Sequence, residues 1–146
     1  MKEQIRIAAG DPIGFTQEEV RLTGHAVECR INAESAETGF RPCPGKITRW
    51  IPPEGPDIRL DSHCYQGYTV PPFYDSLLGK LIVRGRDRRA AIERMKAALS
   101  NFVVSGIDTT IPFYRSLLEH PDYQKGKVHT RWVEETILHR LNQGES

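Results

Sequence analysis

No apolar run in this 146-residue chain approaches the roughly 20 residues of a membrane-spanning helix. The opening MKEQIRIAAG lacks the apolar stretch of a secretory signal, and it reads as the end of a helix that begins in a longer chain. Cysteine is scarce. Cys29, Cys43 and Cys64 make an odd number, and their spacings match no zinc pattern. Reduced thiols in a cytosol-like compartment are the simplest account, with Cys29 a small core residue in an apolar run. An excess of one charge is missing too. Twenty Lys and Arg stand against 19 Asp and Glu, a net charge of +1, which argues against a dedicated nucleic-acid surface. There is no P-loop, no nucleophile elbow and no metal-ligand cluster in the sequence. His25, His63, His120, His129 and His139 are scattered, and read as surface or hydrogen-bonded side chains rather than ligands.

What is present fits one modest globular domain, with 38% hydrophobic and 27% charged residues. A short helix over 2–9 puts Ile5, Ala8 and Ala9 on one face and stops at Gly10-Asp11-Pro12. Residues 24–33 alternate, with Val27, Cys29, Ile31 and Ala33 on one face and Glu28, Arg30 and Asn32 on the other. Further strands are expected at 46–51, 58–60 and 78–84. Asp87 is a suitable N-cap for a helix over 88–101, whose stripe is Ile92, Met95, Leu99 and Phe102. Thr109 or Thr110 starts another helix carrying Phe113, Tyr114, Leu117 and Leu118, with Pro112 in its first turn. Thr130 caps a last helix with Val133, Ile137, Leu138 and Leu141 inward. Strands first and helices later, without βαβ alternation, indicate an α+β domain with a mainly antiparallel sheet and flanking helices.

Two segments stand out chemically. In Glu28-x-Arg30-x-Asn32, three polar side chains leave one face of an otherwise apolar strand. The ordinary reading is the wet face of a half-exposed sheet. The functional reading is a preorganised anion site, where a strand-borne guanidinium offers a planar donor fork that Glu28 orients. In 68–80, YTVPPFYDSLLGK, two prolines stiffen the chain, Asp75 or Ser76 caps a turn, and Gly79 permits close backbone approach. The ordinary reading is a purely structural one, a stiff connection with an aromatic plug. The run Arg84, Arg86, Arg88 and Arg89 reads as a solvated loop and helix start.

GHAVECRINAE (24–34), PCPGKITRW (42–50), GYTVPPFYDSLLGKLIV (67–83) and AIERMKAAL (91–99), in this order, resemble the C-terminal region of biotin carboxylases. The form found in acetyl-CoA carboxylase is the most similar. These are ligases of the ATP-grasp kind. The activity that the resemblance implies is carboxylation of carrier-bound biotin by bicarbonate at the expense of ATP. It implies residues 1–12 as the end of the preceding ATP-grasp region and 13–146 as the C-terminal domain. Arg30 matches the family's active-site arginine, with Glu28 and Asn32 as supporting substrate contacts. Thr130 and Arg131 fall where the tail passes near adenine, and Arg59 and Arg94 fall at a homodimer interface. Pro56 and Asn101 depart from the aromatic and acidic residues usual at that interface. ATP, Mg or Mn, biotin and bicarbonate are the implied cofactors and substrates, and the metal ligands precede residue 1. Implied partners are the rest of the carboxylase chain, biotin carboxyl carrier protein, carboxyltransferase subunits and a second copy, but no nucleic acid or membrane. Acetyl-CoA is the favoured acyl acceptor, and the expected location is the cytoplasm or an organelle matrix. A non-catalytic dimerisation or scaffold module is the alternative.

Overall fold

The computed structural model describes residues 1–138. Helix α1 (Lys2–Ala8) leads into a segment whose only regular turn is a 3-10 helix at Gln17–Glu19. Strand β1 (His25–Asn32) follows, then two short strands, β2 (Glu34–Ser35) and β3 (Arg41–Pro42), which pair antiparallel. Next come β4 (Gly45–Lys46), β5 (Arg49–Ile51), β6 (Ile58–Ser62), β7 (Thr69–Val70) and β8 (Leu77–Gly85). Helix α2 (Arg88–Asn101), strand β9 (Val103–Ser105) and helices α3 (Ile111–Glu119) and α4 (Pro121–Gln124) complete the frame. A π-helical turn spans Val133–Leu138.

The main sheet has the order β1-β8-β6, all antiparallel. Alternation in β1 and β8 sends Val27, Cys29, Ile31, Leu81 and Val83 to one face. There they pack with Ala91, Ile92, Met95, Ala98 and Leu99 of α2, and all ten are buried. This is the expected α+β architecture. The α2 boundaries agree with those read from the sequence, and Asp87 Oδ1 accepts from the Ala90 amide at 2.8 Å as the N-cap. Gly79 sits where a Cβ would come to 3.0 Å from Ser62 Cβ and 3.1 Å from the Asp61 carbonyl, a tight fit that favours glycine where β6 approaches β8.

Two expectations are corrected. The single strand over 46–51 is two, β4 and β5, which pair with β7 and β9 respectively. Ile47 between them is fully buried, and the chain turns there to serve two partners. The described part of the last helix, Val133–Leu138, is π-helical rather than α-helical, with Val133 and Ile137 half-buried and Trp132 just before it buried. Leu141 and His139 lie outside the described residues.

Candidate functional site

The face of the main sheet opposite α2 is built by the same alternation that fills the core. Register places Arg30 opposite Lys80, and Lys80 opposite Asp61. One step along, Glu28 lies opposite Ile82, and Ile82 opposite Arg59. Arg30, Glu28, Arg59 and Asp61 are exposed, and Lys80 is half-buried. Arg59 donates to both carboxylate oxygens of Asp61, at 2.8 and 2.7 Å. That pairing holds the Asp61 carboxyl below its usual pKa, first through the hydrogen bonds from Arg59 and more weakly through the charges of Arg59 and Lys80. Among the described residues Arg30 forms no ion pair, and none links it to Glu28. The guanidinium is therefore left available.

The far edge of β1 explains how Arg30 is held. The β1/β8 register shifts by one residue between Ile31 and Asn32, and the pairing continues with Asn32 opposite Leu77. Thr110 meets the edge away from β8. Its hydroxyl donates to the Arg30 carbonyl at 3.1 Å and accepts from the Asn32 amide at 3.0 Å. Its own amide donates to the Asn32 carbonyl at 3.1 Å. These bonds point away from β8, so Arg30 and Lys80 face each other as a non-hydrogen-bonded pair, the arrangement that brings side chains closest. Tyr114 packs beside this edge. Burial raises its phenol pKa, and the backbone of Arg30 acts in the opposite direction.

Asn32 turns its side-chain amide to Glu34 Oε1 at 2.9 Å, and the Ser76 hydroxyl donates to the same oxygen. Asp75 Oδ1 accepts from the Leu77 amide at 2.7 Å, which closes the turn after the two prolines. The loop leaves Phe73 and Tyr74 exposed beside a cleft of about 380 Å³ lined by His63, Tyr68, Val70 and Leu78 among others.

The other expected site residues lie elsewhere on the surface. Arg94 donates to Asp57 Oδ2 at 3.1 Å and to the Arg84 carbonyl. Pro56 and Asn101 are exposed. Thr130 and Arg131 are exposed, with Arg131 Nε 3.4 Å from Glu135 Oε1. Arg88 of the basic run stacks over Tyr123, 5.0 Å from the ring centroid, and donates to the Tyr123 carbonyl at 2.6 Å. Its role is structural. Sequence reasoning does not find Lys80 and Thr110 as site residues. The outward position of Lys80 is readable from the alternation of LGKLIVR, but its pairing with Arg30 needs the register. Among the described residues, no three of His, Cys, Asp and Glu gather as a metal site, and no helix is long and apolar enough to cross a membrane.

The family model of the biotin carboxylase C-terminal domain matches residues 28–135, which include Arg30, Lys80 and Thr110. The chain belongs to this family. Biotin carboxylase of Nostoc sp. is 53% identical over 133 residues, covering 91% of this chain and 30% of that protein. A pyruvate carboxylase subunit of Methanothermobacter thermautotrophicus is 49% identical over 135 residues, covering 92% of this chain and 28% of that one. A solved structure of the biotin carboxylase domain dimer of Hydrogenobacter thermophilus 2-oxoglutarate carboxylase superposes with a TM-score of 0.88 at 40% identity, over 98% of this chain and 31% of that chain. That dimer is in complex with MgADP, ADP and bicarbonate. This chain thus spans under a third of the length of these relatives.

Proposed function

We propose that this chain supplies the C-terminal wall of a biotin carboxylase site, and that Arg30 is its catalytic residue. The complete enzyme carboxylates carrier-bound biotin with ATP and bicarbonate. The observation that carries the reading is an arginine without an ion-pair partner among the described residues, on a strand whose backbone is hydrogen-bonded on both edges. Bicarbonate and its activated forms are anions. Biotin's ureido nitrogen becomes nucleophilic only on losing its proton, which puts negative charge on the ureido oxygen. A guanidinium already in place stabilises that charge without reorganising. Lys80, directly opposite, adds a second cation, and like charges facing each other on a sheet are unfavourable until an anion joins them.

Phosphoryl transfer needs a phosphate cradle and cations. These belong to the remainder of the carboxylase, and the segment alone does not turn over. Residues 1–12 are the end of the preceding ATP-grasp region, and the domain proper begins after them. Glu28 and Asn32 support the substrate, Thr130 and Arg131 approach adenine, and Arg59 and Arg94 face a second copy. The carrier protein and the carboxyltransferase meet the complete enzyme in a compartment without membrane attachment. Relatives named for different carboxylases match almost equally well, so the acyl acceptor is set outside this segment.

The test is Arg30→Ala in the complete carboxylase chain. Biotin carboxylation should fall ~10²–10³-fold, while stability changes by only about 0.5 kcal/mol, as for other exposed substitutions. Arg30→Lys should recover part of the loss, because a point charge lacks the planar fork. Near-normal turnover in Arg30→Ala would leave the scaffold reading standing. A collapsed melting temperature would make Arg30 structural.

A further inference from the structure

We infer that Thr110 is a positioning residue for Arg30, acting through the backbone of β1 rather than by touching substrate. The inference rests on the reading of Arg30 as catalytic. Thr110 is the one polar side chain that is buried among the described residues, at 3% exposure. It precedes α3, where a threonine ordinarily caps the helix by accepting from an amide of the first turn. Here the hydroxyl makes no cap bond. Its backbone lies in the helical region, φ −72° and ψ −1°, instead of the extended one that capping uses. The hydroxyl goes instead to a strand 78 to 80 residues earlier in the chain.

That strand needs it. An extended chain is held straight by partners on its edge groups. Strand β1 is an outer strand of the main sheet, so its edge away from β8 has no neighbouring strand, and the loop bearing Thr110 is what meets that edge at Arg30 and Asn32. One hydroxyl both donates to the Arg30 carbonyl and accepts from the Asn32 amide, and the Thr110 amide completes the pattern. The three bonds mimic a neighbouring strand in a single residue. They fix the peptide planes on the C-terminal side of Arg30, and so the direction of its Cα–Cβ bond. An arginine side chain amplifies any tilt at its Cα into a displacement of the guanidinium several bonds away. A misplacement of about 1 Å is enough to cost up to ~10²-fold in rate.

The experiment is a double-mutant cycle in the complete carboxylase, with kcat and the KM for ATP measured well below every variant's melting temperature. Thr110→Val keeps the shape and removes the hydroxyl. The expected result is a fall in kcat of about tenfold or more, with the KM for ATP unchanged and the Asn32 amide exchanging faster. Thr110→Ser keeps the hydroxyl and should retain most of the turnover. In the Arg30→Ala background, Thr110→Val should change kcat by less than about twofold, since coupled residues are not additive. An equal loss in both backgrounds would overturn the inference, as would a folded Thr110→Ser as impaired as Arg30→Ala. Normal kcat in Thr110→Val beside a crippled Arg30→Ala would overturn it while leaving Arg30 catalytic. Near-normal turnover in Arg30→Ala itself would remove the reading beneath it.

Discussion

The main sheet and the first 22 residues use similar apolar side chains to opposite ends. In the sheet and the helix behind it, Ile31, Leu81, Val83 and Met95 are wholly buried. In the leading segment no residue is buried: Ile5 is 68% exposed, Leu22 99%, and Ile7, Ile13, Phe15 and Val20 are all exposed. Helix α1 has seven residues and no side-chain cap, too short to persist on propensity alone. A run of exposed apolar residues marks a surface meant for contact. The difference separates a packed frame from a leading strap in which no residue is buried. Arg30 lies on the packed part.

The contrast can be broken from either side. The largest effect is expected in the sheet. Leu81→Ala removes a fully buried side chain between β1 and β6, and should cost about 2–5 kcal/mol in denaturant unfolding. A smaller effect concerns Cys29 on the same face. Burial pushes its thiol pKa up to about 12, against about 9.0 when exposed. Folding therefore favours the protonated thiol. That contribution is whole below pH 9.0 and is lost as pH rises toward 12. Melting followed from neutral to strongly alkaline pH should decline, and Cys29→Ala should flatten part of the decline. The smallest effect belongs to the strap. Ile5→Ala in the isolated chain should shift stability by no more than about 0.5 kcal/mol. A loss as large as that of Leu81→Ala would show that the strap is part of the same cooperative unit.

Strands β1 and β8 and helix α2 are legible in the sequence because alternation, helical spacing and the Asp87 cap all agree with their tertiary roles. Strand β9 is not. Three residues, Val103–Ser105, carry too little pattern, and the strand exists because Arg49–Ile51 lies beside it. The break at Ile47 is hidden for the same reason, since two partners at different places divide one apolar run. The outward direction of Arg30 follows from alternation, but its chemical part comes from the resemblance, because a solvated sheet face has the same pattern. Thr110 reads as a helix start, and it is one. Its second task depends on a strand far away in sequence, which no local signal reports.

Amide hydrogen exchange on the isolated 146-residue chain tests the contrast most directly. The expected result is slow exchange through β1 and β8, including the Asn32 amide that donates to Thr110, beside fast exchange across residues 1–22. Protection spread evenly through both regions, or fast exchange along β1 around Arg30, would contradict it.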